Sequence, residues 1–177
     1  MAHQLNGIMD KDYVKVLVET NKGSRNRYVW EESAKQMRFN RTLFHNMRYP
    51  AEYGFIENTI DEDNKPLDAL VLIDEPTFPG CLIHARPIGI FKIFEENTAD
   101  HKVICVPIED PRWNKIHHLD EVNPDLMKEI EFFFEAYVRF ESQKVDIEGW
   151  QDSSMAQKVL EKASERYHAQ FAIFTEG

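Results

Sequence analysis

Asp61-Glu62-Asp63-Asn64-Lys65-Pro66-Leu67-Asp68-Ala69-Leu70-Val71-Leu72-Ile73 runs the densest acidic segment of the chain into a short, unbroken apolar stretch. Apolar residues without polar alternation, over so few positions, predict a strand buried on both faces over 69–73. The acidic part, with Asn64 and Pro66, predicts a turn in front of it. Carboxylates gathered in one turn repel each other unless a cation or solvent offsets them. Hard oxygen donors suit Mg²⁺, which prefers octahedral geometry and keeps several waters. Read alone, the segment is also an exposed acidic hairpin turn. An EF-hand is excluded, because Pro66 stands sixth from Asp61 and Leu72 twelfth, where that loop needs Gly and Glu.

Working outward, the flanking segments are β-like. Tyr13 to Glu19 puts Val14, Val16 and Val18 on one face and Lys15 and Leu17 on the other, the period-two pattern of a strand. Leu82 to Phe94 is rich in Ile and Phe, and Pro87 and Gly89 predict a bulge or sharp bend within it. Lys102 to Ile108 is another β-branched stretch. Turn clusters separate these runs at Asn21-Lys22-Gly23-Ser24, Asp61 to Pro66, Phe78-Pro79-Gly80 and Asp110-Pro111-Arg112. Short strands at this spacing predict a barrel or sandwich rather than a parallel sheet. Two helices follow. Asn123 is suited to cap the first, Pro124 to open it and Asp125 to face its positive end. Leu126, Ile130, Phe133, Phe134 and Tyr137 then recur at helical spacing. The second helix is expected from about Ser153, with Met155, Val159, Leu160, Ala163 and Tyr167 on one stripe, and Gly149-Trp150 between the two. The tail after His168, including Phe171-Ala172-Ile173-Phe174, carries no pattern.

Composition narrows the class. At 177 residues the chain is expected to form a single domain, 1–177, large enough for its own core. It contains no run of about 18 apolar residues that would span a membrane. Met1-Ala2-His3-Gln4 begins no secretion signal. Cys81 and Cys105 are too few for a disulfide framework and are expected to be buried free thiols in a reducing compartment, here the cytoplasm. A formal charge of −10 argues against nucleic acid as a partner. An acidic chain can still hold a metal or bind an anion locally.

Other clusters are ordinary on their own. Glu95-Glu96 and Asp100, with Lys102 just beyond, look like a solvated loop. Tyr49-Pro50-Ala51-Glu52-Tyr53 offers two phenols that resemble half-buried core residues. His117-His118, if in a strand, would point to opposite faces and are expected to be a surface pair. Trp30, Trp113 and Trp150 are expected to pack rather than to stack on a ligand.

In order along the chain, however, stand Lys22-Gly23-Ser24-Arg25-Asn26-Arg27-Tyr28, Arg41, Tyr49-Pro50-Ala51-Glu52-Tyr53-Gly54, Asp63-x-x-Pro66-Leu67-Asp68 and Pro79-Gly80. Arg86-Pro87-Ile88-Gly89, Asp100-x-Lys102, Val106-Pro107, Asp110-Pro111-Arg112, Phe133-Phe134-x-x-Tyr137 and Gly149-Trp150 follow. This succession, over roughly residues 14–151, resembles the family I (soluble) inorganic pyrophosphatases. The resemblance implies a mainly β protein with two flanking helices, built on a five-stranded OB-like closed barrel. It implies Mg²⁺-dependent hydrolysis of inorganic pyrophosphate to two phosphates, in a homo-oligomer that is commonly hexameric among bacterial members.

Carried over by position, the resemblance makes Asp63, Asp68 and Asp100 carboxylates around a first metal, with Asp68 also serving a second. Glu95 joins Asp100 at a further metal, standing where the family usually has Asp. Arg27 (for the usual Lys), Arg41 and Tyr53 match donors to one phosphoryl group, and Lys102 and Tyr137 donors to the other. Glu19 matches an acidic residue lining the cavity, and Tyr49 a supporting tyrosine. Four positions depart from the family. Lys65 stands where the family has the aspartate regarded as general base. Val29 replaces a glutamate, Asn40 an acidic residue, and Val138 a phosphate-binding lysine beside Tyr137. Their combined effect is a more positive site, which weakens divalent-metal binding. Asp61, Glu62 or Asp63 could take the missing base role, leaving Lys65 to contact a phosphate. Rival readings follow: a catalytically degenerate phosphate or pyrophosphate binder, a hydrolase of another phosphoanhydride, and, against the charge, an OB-like nucleic-acid module.

Overall fold

The computed structural model describes residues 13–141 and 145–172; the chain's opening residues Met1 to Gln4 and the tail residues Ile173 and Phe174 lie outside them. Valine at every second position makes Val14–Thr20 the strand β1, with Val14, Val16 and Val18 buried on one side. The strands β2 (Asn26–Glu31) and β3 (Gln36–Thr42) form a hairpin of their own. Next come β4 (Glu52–Ile56), β5 (Asp68–Val71), β6 (Leu82–Glu95) and β7 (Thr98–Pro107). The helix α1 (Pro124–Glu141), the strand β8 (Val145–Gln151) and the helix α2 (Ser153–Ala172) complete the order. Among the described residues no helix is long and apolar enough to cross a membrane.

The main sheet runs β1-β4-β5-β7-β6-β8, and β6 also pairs with β1, so β1, β4, β5, β7 and β6 close a five-stranded ring with β8 on its outside. This matches the mainly β class and closed five-stranded ring expected from the sequence. The pair β5–β7 is parallel and every other pair antiparallel. One long strand serves three partners: β6 meets β1 through Leu82–Ala85 and β8 through Ile90–Glu95, while β7 lies along most of its length. The expected bend is there, as a register slip between Pro87 and Gly89.

Alternate residues of the strands feed two cores. Val16, Ile56, Ala69, Val71, Ala85, Val103 and Cys105, drawn from all five ring strands, line the inside, and Ala156, Val159, Leu160 and Ala163 of α2 pack against them. Leu70, Leu72, Ile104 and Val106 face the other way and meet Ile130, Phe133 and Phe134 of α1. The unbroken apolar run after Asp68 is therefore buried on both faces because a helix covers the outside of the ring there. The cap of α1 is as read: Asn123 Oδ1 accepts from the amide of Asp125 at 2.9 Å.

Several expectations change. The acidic Glu95–Asp100 region is no loop but the tip of the β6–β7 hairpin, turned by Glu96 (φ 50) and Asn97 (φ 66) in the left-handed geometry of a two-residue type I′ connection. Gly149-Trp150 lies between the two helices as expected, there in β8, whose pairing with β6 supplies the regularity its sequence lacks. His117 and His118 are exposed as expected, but in a segment outside any strand, before the short 3₁₀ turn Leu119–Glu121. Cys105 is buried, whereas Cys81 is only partly so; both thiols are free. Trp150 packs edge-on to Phe91 (4.9 Å between centroids), and Trp113 borders the outer core.

Gly54 sets how closely β4 can approach β1. A Cβ there would lie 1.9 Å from the carbonyl oxygen of Leu17 and 2.8 Å from its carbon. Backbone cannot yield as a flexible side chain can, so Gly54→Ala is expected to cost at least about 1–3 kcal/mol. A fall in the urea midpoint at unchanged m-value checks this.

Candidate active site

Three elements meet at one end of the ring: the outer faces of β4, β5 and β7, the β2–β3 hairpin and α1. The cleft between them has a volume of about 940 Å³. Its wall includes Glu19, Arg27, Arg41, Tyr49, Tyr53, Asp63, Lys65, Asp68, Glu95, Asp100, Lys102 and Tyr137. The residues to which the resemblance gave a metal, phosphate or cavity role thus line a common space.

At its floor, parallel pairing sets Asp68 directly opposite Lys102, and Asp100 is two residues back along the same face of β7. The Lys102 ammonium donates to Asp68 Oδ2 (2.5 Å), Asp100 Oδ2 (2.9 Å) and the Tyr53 hydroxyl (3.0 Å). Tyr53 in turn donates to Asp68 Oδ2 at 2.7 Å. Burial works against the Lys102 charge, yet Asp68, Tyr53 and Asp100 together hold its pKa well above the usual lysine range. One ammonium cannot satisfy two carboxylates fully. Burial, with repulsion from Asp68 and Asp63, outweighs the attraction of Lys102 and pushes the Asp100 carboxyl up to about 6. Tyr49 lies beneath, its ring 5.4 Å from that of Tyr53 and 5.0 Å from Phe133; burial raises both phenols.

A second cluster faces the first. Arg27 and Arg41 are opposite each other in the β2–β3 register, and both guanidinium groups donate to the Tyr137 hydroxyl, at 3.0 and 3.1 Å. Burial, the largest influence on Arg27, opposes its charge, but Tyr137, Tyr49, Tyr53 and Glu19 outweigh it. Two guanidinium groups on one wall present a planar array of donors suited to phosphate oxygens. Glu19 stands between the clusters and accepts the backbone N–H of Trp30 at 2.9 Å.

Burial pushes the Glu19 carboxyl up to about 7, with Asp68 adding to it and Arg27 and Lys102 opposing. A raised folded-state pKa stabilises the fold below the unfolded value of about 4.5, and that contribution is lost as pH rises through about 7. Metal-free Glu19→Gln is therefore expected to lose less stability than wild type between those pH values. The difference should be on the order of 2 kcal/mol, read from urea titrations at several pH values.

Asp63, Lys65 and Glu95 line the same cleft toward its rim. Asp63 Oδ1 accepts the backbone N–H of Lys65 (3.0 Å). Burial and the nearby Asp61 and Asp68 charges raise its pKa, against that bond and the Lys65 charge. Among the described residues, no three His, Cys, Asp or Glu side chains are grouped closely enough to hold a metal ion; Lys102 takes the space between Asp68 and Asp100. The donor set nonetheless suits a hard divalent cation: carboxylate oxygens, partly desolvated and in mutual repulsion, with a single ammonium to offset them.

The sequence of motifs has a counterpart in whole-chain comparison. The family model described as inorganic pyrophosphatase matches residues 16–168. The chain belongs to the inorganic pyrophosphatase family. It is 44% identical to the inorganic pyrophosphatase of Methanosarcina mazei over 155 residues, 88% of this chain and 92% of that one. It is also 44% identical to that of Streptomyces coelicolor over 160 residues, 88% and 96% of the two chains. The solved pyrophosphatase of Helicobacter pylori superposes with a TM-score of 0.84 at 30% identity, over 93% of this chain and 99% of its own. That of Thermus thermophilus gives 0.84 at 34%, over 91% and 94%.

The residues read from the sequence as departures have definite places in this fold. Lys65 is exposed at the cleft mouth, and Val29 and Val138 line the walls. Asp61 is not available to replace a base: it is 3% exposed, and its carboxylate is held by the His101 ring (3.0 Å) and the His101 N–H (3.1 Å). Glu62 is drawn toward Arg166, 3.7 Å away. Asp63 remains in the cleft. The Asp61–His101 pair, which ties the acidic turn to β7, was not read from the sequence. Its one signal was a histidine alternating with two expected site residues, Asp100 and Lys102, and so pointing away from them.

Proposed function

We propose that this chain hydrolyses inorganic pyrophosphate to two phosphates with the help of Mg²⁺, at a reduced rate. The observation that carries the reading is the facing pair of clusters, Asp68–Lys102–Asp100–Tyr53 and Arg27–Arg41–Tyr137, in one cleft. Asp63, Asp68, Glu95 and Asp100 would hold the cation. When bound, it supplies a water of lowered pKa and neutralises phosphate charge. The protein's own groups do the rest. Arg27, Arg41 and Tyr53 grip one phosphoryl group, while Lys102 and Tyr137 take the other and stabilise the charge that builds on the leaving oxygen. Tyr49 fixes Tyr53 by packing against its ring. To act on substrate, Lys102 must turn part of its hydrogen bonding from Asp68 and Asp100 to a phosphate oxygen.

The reduced rate follows from Lys65. An exposed ammonium has no lone pair with which to accept a proton from the attacking water. Continuous phosphate detection with Mg²⁺ and pyrophosphate tests the reading, and no release above background with any divalent metal would end it. The same lysine favours a second reading, a binder without turnover. Calorimetry distinguishes the two: pyrophosphate uptake with no phosphate produced would leave the binder standing. The reading also carries a cytoplasmic homo-oligomer, with a hexamer favoured. Sedimentation velocity measures it.

A further inference from the structure

The cleft is larger than two phosphoryl groups require, and its polar clusters occupy only part of it. The same cleft is also lined by Leu17, Trp30, Phe55, Ile60, Tyr167 and Phe171, an apolar annex to the polar clusters. These come from five separate elements. Leu17 of β1 and Phe55 of β4 are direct partners on the outer face of the ring. Tyr167 and Phe171 of α2 lie with ring centroids 4.5 Å apart. The loop carrying Ile60 is strapped to α2 by Ile60 N–H to the Ala163 carbonyl, 3.0 Å. Trp30 reaches the annex from the hairpin strand whose backbone N–H holds Glu19. Leu17, Trp30, Phe55 and Tyr167 are only half-buried, and Phe171 is 48% exposed. Aromatic surface is thus left open inside a polar cleft, which two inorganic phosphates would not use. Lys65, Glu57 and Asn58 line the same cleft and add an ammonium and hydrogen-bonding groups to it.

We infer that the annex receives the aromatic base of a nucleoside polyphosphate whose phosphates occupy the two clusters, with Lys65 meeting a phosphate next to the sugar. This rests on the phosphoanhydride hydrolysis proposed above and extends its substrate class. Stacking of a base on aromatic side chains is tolerant of sequence and adds affinity without charge. The exocyclic amine of a base finds acceptors at Glu57 and Asn58. Hydrolysis then proceeds as for pyrophosphate. The water oxygen bonds to the terminal phosphorus while the bond from that phosphorus to the bridging oxygen breaks. The bridging oxygen leaves on the shortened ester, and one proton passes to solvent.

The test is calorimetry with two ligands of equal charge, adenosine diphosphate and methyl diphosphate, with Mg²⁺, beside a separate pyrophosphate assay. Adenosine diphosphate is expected to bind about tenfold tighter or more. Phe171→Ala should remove a several-fold part of that preference, leaving methyl diphosphate binding and pyrophosphate hydrolysis unchanged. Equal affinity of the two ligands in wild type would overturn the annex while leaving the pyrophosphate reading intact. Failure of both ligands and of pyrophosphate to bind would overturn both.

Discussion

Replacing Lys65 with aspartate is expected to raise the rate of pyrophosphate hydrolysis by about 10²–10⁴-fold, the usual contribution of a positioned general base. The geometry makes this a clean substitution. The loop is held through the backbone, by Lys65 N–H to Asp63 Oδ1 (3.0 Å) and Asp61 N–H to the Lys65 carbonyl (2.8 Å), so the side chain can change without moving the turn. Lys65 is exposed and makes no ion pair among the described residues, so stability should stay within about 0.5 kcal/mol. Of the neighbours that could do the work, Asp61 is committed to His101 and Glu62 faces Arg166, which leaves only Asp63 in the cleft. Two effects combine in the gain: a lone pair appears at the rim, and the local charge moves toward cation binding. Lys65→Ala separates them, since it removes the ammonium without adding a base. If alanine gains as much as aspartate, the repulsive charge is the limit and the missing base is not. If neither variant gains, position 65 does not limit the chemistry.

Replacing Asp68 with asparagine is expected to lower hydrolysis at least about 10²-fold, the scale for losing one preorganised electrostatic group. Asp68 ties the floor of the site together: Tyr53 donates to it at 2.7 Å, Lys102 at 2.5 Å, and its charge acts on Glu19, Asp63 and Asp100. Asparagine keeps the shape and one acceptor but loses the charge. Lys102 would turn wholly to Asp100, and with the Asp68 repulsion gone the Asp100 pKa should fall below its present value of about 6. Carboxyl NMR titration reads that fall. Removing one partner of a buried pair costs about 3–5 kcal/mol when nothing replaces it; with Asp100 still bonded to Lys102, the loss should be smaller. Undiminished phosphate release from Asp68→Asn would remove Asp68 from the reaction.

Much of the fold was legible where a local rule acts alone. Valines at every second position gave β1, the unbroken apolar run gave β5, and Asn123-Pro124-Asp125 gave the start of α1. Elements without such a rule were missed. The hairpin strands β2 and β3 and the edge strand β8 bury little, so their sequences lack the apolar alternation that marks a half-buried strand. The Glu95–Asp100 hairpin tip looked like a solvated loop because its residues are charged and polar, although the apolar parts of its strands, Leu82 to Phe94 and Lys102 to Ile108, were read.

The sequence by itself determined which side chains this protein can use: the carboxylates at 63, 68, 95 and 100, the cations at 27, 41 and 102, the phenols at 49, 53 and 137, and a lysine at 65. Their order along the chain determined the family. Only the tertiary structure decided which of them touch. Lys102 lies between Asp68 and Asp100 because β5 and β7 run parallel in one register, and Arg27 joins Arg41 at Tyr137 because a hairpin folds over α1. Such contacts depend on strand register and on packing between segments far apart in sequence, which no local pattern encodes. For the same reason the sequence showed Asp61 as one more acid in a turn, and only the fold revealed its carboxylate buried against His101.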